Sequence, residues 1–536
     1  MSPRLAARLQ TLAGAAALIS IVTLLSRVLG FGRWMAQASW VGTAGIAEPY
    51  AVANQLPNVL FEVVAGGALA GAVVPLLAGA LSKGDDAALR RASSALLCWT
   101  LAALVPLALL LVVFAPQTIA LLSDMRTPEL EEKAIFFLRV FAVQIPLYGV
   151  GVVFGGILQA HKRFTWPALA PLFSSLVVIA TYFIFGTLAQ GNQANVEQLT
   201  AQSVEVLAWG TTAGVLAMAA TMALPVRALK LGLRPSLTFP EGMGRRARNL
   251  AFAGIGALLA QQAAMLVVMK VSGRFGTGET FNLFQYSQAV YVLPYAVLVV
   301  PLATSMFPRI AAHASNNEHE AFAAMSSKVT RIVLVVSFLG AALLIAASQP
   351  LQDFFSSFTA GSVDGMAAAI TWAAPGLVGF SLILLCSRVL YSRDLGRQAV
   401  VATATGWLVA AAGSALPFLP GVTIAPDQVL TLVSASQSVG MTVAGVLLLV
   451  AVRRSCGGQA VRGVARTAAV SLVAAALASL AGLSVVRLMP SAAGELWASI
   501  GQGLVAAAVA LVVALVVIVI LDRKTIKQLR SVRAGK

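Results

Sequence analysis

Apolar runs of about 20 residues, broken by short charged or Gly/Pro-rich segments, recur along the whole chain. A run of that length crosses the hydrocarbon core of a bilayer as one helix. About fourteen such runs can be placed, near residues 12–39, 47–80, 92–114, 134–160, 166–188, 203–226, 247–272, 281–310, 328–347, 366–390, 398–417, 428–452, 466–487 and 496–521. The pattern predicts an all-α polytopic membrane protein.

Composition agrees. Of 536 residues, 59% are hydrophobic and 11% charged, and the mean hydropathy of +0.87 lies well outside the range of a soluble domain. The charge adds orientation. With a cytoplasmic N-terminus, the inside segments hold most of the 37 Lys and Arg residues, whereas the outside loops hold only Arg126, Lys133, Lys270, Arg274 and Arg487. The net charge of +17 is then a topology signal, and no nucleic-acid partner is expected. An even number of spans places both termini in the cytoplasm. The first run could be read as a secretory signal, but it continues through Arg27 and Arg33 without a small-x-small cleavage site. Cys98, Cys386 and Cys456 lie in or beside spans and imply neither a disulfide framework nor a metal site.

The longest basic connection divides the chain. Residues 1–226 form an N-terminal lobe of six spans, 227–246 a cytoplasmic basic linker, and 247–452 a second lobe of six spans. Residues 453–521 add two helices and 522–536 a basic tail. The lobes repeat weakly: Gln55-Leu56-Pro57 and Val73-Val74-Pro75 in the second span pair with Val292-Leu293-Pro294 and Met306-Phe307-Pro308 in the eighth. Pro146 with the ending Leu158-Gln159-Ala160-His161-Lys162-Arg163 pairs with Pro375 and Leu390-Tyr391-Ser392-Arg393-Asp394. Both lobes run from inside to inside, so the expected relation is a pseudo-two-fold axis along the membrane normal, with a substrate path between the lobes. Prolines within spans kink helices, which suits alternating access and equally suits shape alone. The last two helices, nearly free of polar residues, are expected to face lipid.

Charged residues inside spans narrow the chemistry. Arg27 and Arg33 lie about 9 Å apart along the first span. A charge near the bilayer centre costs about 3 to 10 kcal/mol, so the pair points to a cavity for an anion. In the second span Asn54, Asn58 and Glu62 fall at i, i+4 and i+8 on one face, with Gln55 beside them and Glu48 near the outer end. Glu62 is expected to pair with Arg27 or Arg33, as a structural tie or a gate, or to titrate. Gln261, Gln262, Gln285, Gln288, Tyr291 and Tyr295 form a second, uncharged surface that could bind ligand or join helices. Arg139 and Arg388 are further cationic candidates, although Arg388 could snorkel to the inner interface.

Some chemistry is absent. The sequence has no G-x-x-x-x-G-K-[ST] loop and no H-E-x-x-H, and its acidic pairs Asp85-Asp86 and Glu131-Glu132 fall in loops. A membrane transferase, which would need carboxylates to hold Mg²⁺, is disfavoured.

The segments S-R-V-L-G-F-G-R at 26–33, Q-L-P-N at 55–58, G-G-A-L-A-G-A-V-V-P at 66–75 and L-Y-S-R-D at 390–394 resemble the MurJ (MviN-like) lipid II flippases. These belong to the multidrug/oligosaccharidyl-lipid/polysaccharide exporter superfamily. The resemblance covers essentially the whole chain. It implies a transporter of lipid II, undecaprenyl diphosphate bearing a disaccharide-pentapeptide, acting in the bacterial plasma membrane for peptidoglycan synthesis, with cell-wall synthesis proteins as candidate partners. Arg27 and Arg33 match the arginines that meet the diphosphate, Glu48 an acidic position of the second span, and Asn58 the Asn after Leu-Pro. No cofactor is implied, although Na⁺ or H⁺ could couple, with Asp394 and Gln261 as candidate cation ligands. The chain departs from the family pattern at Trp34 and Gly66, where members tend to be acidic, and at Phe61, Glu62 and Ala289, where they tend to be basic; the latter three leave fewer basic groups for the anion. Other readings are export of another lipid-linked oligosaccharide, or drug antiport using Glu62.

Overall fold

The computed structural model describes residues 12–63, 70–82, 84–240, 243 and 255–521. Among them the secondary structure is helical, without strands. Among the described residues ten helices are long and apolar enough to cross a membrane, eleven if the bent pair Met366–Ala373 and Gly376–Tyr391 is one span. The remaining expected spans, near 12–39, 47–80 and 398–417, are not in that set. The first is one helix, Leu12–Trp40; the second is described only in two pieces, Ala47–Phe61 and Ala70–Ser82. The third, Gly396–Ser414, spends its first turn on Gly-Arg-Gln and keeps too short an apolar stretch. Residues 1–11, 64–69, 83, 241–242, 244–254 and 522–536 lie outside the described residues; they include the end of the expected linker, the start of the expected seventh span and the basic tail.

The chain divides into two compact units at Leu258/Leu259. The first contains α1 (Leu12–Trp40), α2 (Ala47–Phe61), α3 (Ala70–Ser82), α4 (Asp86–Val113), α5 (Ala115–Leu122), α6 (Pro128–Phe141), α7 (Gln144–Ala160), α8 (Thr165–Ala189) and α9 (Ala201–Arg227). Polar caps start the helices where the chain meets water. Asp85 accepts from Ala88 N at 2.8 Å, Thr127 from Leu130 N at 3.4 Å and Thr200 from Ser203 N at 3.2 Å. The turn from α1 to α2 is clasped by the chain after α8. Ile46 N donates to Gln193 O at 3.0 Å and Gln193 Nε2 to Trp40 O at 3.3 Å. Gly45, at φ +60°, admits this approach, because a Cβ there would lie 2.3 Å from Gln193 O.

Pro146 marks a break between α6 and α7. Across it the ladder tightens to i→i−3 bonds, Val143 N to Val140 O and Ile145 N to Ala142 O. A proline in the first turn of a restarted helix loses no bond the helix would otherwise make. The break sets Gln144 at the head of α7, fully buried.

Residues 228–240, within the expected cytoplasmic basic linker, run along α4. Arg234 N donates to Ser94 Oγ at 3.1 Å, Ser236 N to Cys98 Sγ at 3.3 Å, and Trp99 Nε1 to Leu237 O at 2.8 Å. Leu229, Leu231 and Leu233 alternate onto the apolar core built from Leu76, Leu89 and Ile157. That period-two pattern was present in the sequence, hidden by the basic residues around it.

The second unit holds most of α10 (Ile255–Phe275), then α11 (Thr280–Pro294), α12 (Val300–Ser315), α13 (His319–Ala346), α14 (Ser348–Ser356), α15 (Met366–Ala373) and α16 (Gly376–Tyr391). It continues with α17 (Gly396–Ser414), α18 (Val429–Cys456), α19 (Val464–Arg487) and α20 (Leu496–Leu521). A π turn over Tyr295–Val299 joins α11 to α12 directly after Pro294, which cannot donate into a regular ladder. The axes of α15 and α16 bend by 45° just before and after Pro375, with i→i−3 bonds from Leu377 N and Val378 N. In the turn between α12 and α13, His313 Nδ1 lies 2.5 Å from Glu318 Oε2, and Asn316 Nδ2 donates to Oε1 at 3.3 Å. These bonds hold the Glu318 carboxyl below its ordinary range.

Glycines bring α16, α17 and α18 together. Gly379 faces Met441 and Gly445, and Gly406 faces Gly440, with backbone approaching backbone as in membrane helix pairs. The two final helices pack through alanines. Ala475, Ala478, Ala506, Ala510 and Ala514 form one buried cluster with Ala342 and Ala346 of α13. Leu472, Leu480, Leu504 and Val512 point outward, as expected for a lipid-facing surface.

Candidate functional site

The site is built inside the first unit. Asn54, Asn58 and Glu62 project from one face of α2, as their spacing predicts. Together with Arg33 they line a cavity of about 340 Å³ whose far wall comes from α7, α8 and α9, through Gln144, Tyr148, Ser174, Ser175 and Thr211. Tyr148 donates to Asn58 Oδ1 at 3.0 Å, and its ring lies 4.4 Å from that of Phe61. Phe61, Pro171 and Met218 also wall a second, more apolar cavity of about 240 Å³ lined by Val73, Gly151, Gly155 and Met222.

The two arginines separate here. Arg33 lines the cavity, whereas Arg27 is exposed and does not. Six residues turn a helix by about 600°, which leaves the two side chains about 120° apart. The expected ion pair is also not formed: among the described residues no salt bridge joins Glu62 to Arg27 or Arg33. Glu62 stands at the C-cap of α2 and lines the cavity without a guanidinium partner among the described residues. Gln55 is half-buried and lies off the cavity lining. Glu48 is buried in the first turn of α2, where an acid complements the helix dipole. Arg139 is exposed in the last turn of α6, the complementary position for a cation.

Beside the cavity lies a buried network that periodicity did not reveal. Tyr50 Oη lies 2.8 Å from Tyr182 Oη and 3.1 Å from Thr211 Oγ1, and Tyr182 donates to Gln37 Oε1 at 3.3 Å. It links α1, α2, α8 and α9 across more than 130 residues of chain, and the Tyr50 ring meets Phe137 and Phe141 edge-on. Tyr50→Phe deletes both Tyr50 bonds and is expected to cost about 1 kcal/mol. A lowered midpoint in detergent thermal unfolding, with insertion unchanged, is the check.

In the second unit Gln288 Nε2 donates to Gln437 Oε1, joining α11 to α18. These two, with Gln261, Gln262 and Ser414, line a small cavity of about 50 Å³. Gln288 thus joins two helices through Gln437. Tyr291 and Tyr295 pack on Phe380, with ring centroids 6.2 and 4.7 Å away. Asp394 lies in the turn after α16 and does not line the cavity that Gln261 lines, so these two candidate cation ligands are not brought together. Arg388 sits at the end of α16, its Nη1 donating to Thr304 Oγ1 at 3.2 Å and its guanidinium 5.7 Å from the Phe307 ring. Among the described residues no cluster of three or more His, Cys, Asp or Glu could hold a metal ion.

Comparison with known proteins decides the family. The family model described as "Lipid II flippase MurJ" matches residues 37–500. The chain belongs to the lipid II flippase MurJ family. A MurJ relative, "Lipid II flippase MurJ" from Burkholderia cenocepacia, is 28% identical over 390 residues, covering 70% of this chain and 72% of the relative. "Probable lipid II flippase MurJ" from Synechocystis is 32% identical over 213 residues, covering 39% of this chain and 38% of its own. Among solved structures, "Lipid II flippase MurJ, inward closed conformation" superposes with a TM-score of 0.72 at 19% identity, over 95% of this chain and all of the other. An inward-facing multidrug resistance MATE family transporter of the MOP superfamily gives a TM-score of 0.66 at 15% identity, covering 83% and 98%. MurJ and MATE proteins thus share this fold, so the fold alone does not select the cargo.

Proposed function

We propose that this protein moves lipid II from the inner to the outer leaflet of the bacterial plasma membrane by alternating access, serving peptidoglycan synthesis. Membership of the MurJ family over residues 37–500 carries this reading. The cavity supplies its chemistry: Arg33 offers a cation in a polar pocket, which a diphosphate needs and a cationic drug would not. The membrane potential favours export. Two negative charges leaving a negative-inside cell gain about 4 to 5 kcal/mol per 100 mV, so no ATP is required.

The proposed topology has fourteen spans, both termini cytoplasmic, and two six-helix lobes related by a pseudo-two-fold along the membrane normal. Two correspondences support the repeat. Pro146 and Pro375 each sit where a span breaks and restarts. Lys162 and Asp394 each take φ 59° after the helix end, and the following residue bonds back to buried Leu158 or Leu390.

Rescue of growth in a strain depleted of its lipid II flippase is the expected result. Failure to rescue despite full membrane insertion would contradict the reading. Export of a different lipid-linked oligosaccharide is the second reading, favoured by the fold shared with other exporters; it predicts rescue of that pathway instead.

A further inference from the structure

We propose that the first-unit cavity reads the sugar next to the diphosphate, with the Gln144 side chain as a contact for its hydroxyl or acetamido groups. The inference rests on the lipid II reading and adds to it, because Arg33 can hold a diphosphate without distinguishing what is attached to it.

Gln144 is fully buried, and one end of its amide is tied by the bond from Nε2 to Thr212 Oγ1 at 3.1 Å. The other end, Oε1, is buried without a hydrogen-bond partner. A buried amide end left unsatisfied costs free energy, and an interior of membrane helices offers no bulk water to relieve it. This residue also lines the 340 Å³ cavity opposite Asn54 and Asn58. Asn58 spends its Oδ1 on Tyr148. Apart from Arg33 and Glu62, the polar lining is thus made of neutral amides and hydroxyls, able both to donate and to accept.

Aromatic rings line the same cavity. Phe61 and Tyr148 lie with ring centroids 4.4 Å apart, and both line the cavity. A pyranose has matching halves, with hydroxyl and amide groups around its rim and C–H groups on its faces. Amides and aromatic rings lining one cavity suit that shape better than they suit a second anion, which would want further cations.

The test measures affinity of the purified full-length protein for two probes, lipid II and undecaprenyl diphosphate, which differ by the sugars and peptide. Wild type is expected to prefer lipid II. Gln144→Leu should weaken lipid II binding roughly tenfold and leave undecaprenyl diphosphate binding unchanged. Gln144→Asn, which keeps the amide but withdraws it by one methylene, should show the same selective loss and serves if the leucine variant does not fold. Equal weakening of both lipids, or no change in either, overturns the sugar contact while leaving the flippase reading standing. A wild-type protein that binds neither lipid overturns the flippase reading itself.

Discussion

Arg33→Ala is expected to abolish lipid II translocation while the protein inserts at wild-type level, and Arg27→Ala to retain more activity than Arg33→Ala. Only Arg33 lines the first-unit cavity; Arg27 is exposed on another face of the same helix. The chain carries Phe61 and Ala289 where its resemblance leads one to expect basic residues, so less positive charge remains to share the diphosphate. A charge-assisted bond to phosphate contributes more than a neutral one, and its loss in a low-dielectric pocket is felt in full. Arg33→Lys keeps the charge but loses the planar fork, and is expected to restore only part of the rate. Growth of a flippase-depleted strain, read beside membrane abundance of each variant, measures this. Normal growth with Arg33→Ala would remove the anion role from this cavity.

Gly379→Val is expected to be the most damaging substitution in the second unit. A Cβ at Gly379 would lie 2.0 Å from the carbonyl oxygen of Met441, and Gly445 approaches from the same helix. The obstacle is backbone, which no side-chain rotamer can relieve, so α16 and α18 must separate. Overpacking of this kind costs about 3 kcal/mol. Little folded protein should survive extraction, whereas Gly501→Ala, with nothing within 4 Å, should behave as wild type. Size-exclusion profiles of the two variants after mild heating provide the comparison.

Much of the helical architecture could be read from the chain because lipid imposes long apolar runs. The face of α2 was legible for the same kind of reason: Asn54, Asn58 and Glu62 repeat at the helical period, and all three reach one cavity. Arg27 and Arg33 look like a pair in the sequence because both are costly in lipid, yet a spacing of six residues separates their faces. Residues on other helices were harder to find. Gln144 is a lone polar residue before a proline, and its importance appears only when α7 meets α9 through Thr212. Tyr50, Tyr182 and Thr211 are distant in sequence and individually ordinary, so no local period connects them. The linker is legible only in part: its basic residues mark the connection, whereas the alternating leucines at 229, 231 and 233 that fasten it to the core are too short a pattern to stand out.

Reconstitution of the purified protein into liposomes with fluorescent lipid II tests the central claim most directly. With a membrane potential imposed, the probe should become accessible on the opposite leaflet, unaltered in mass, at a rate that falls to the protein-free level with Arg33→Ala. Lipid II that stays on its original leaflet, or emerges chemically converted, would contradict the account.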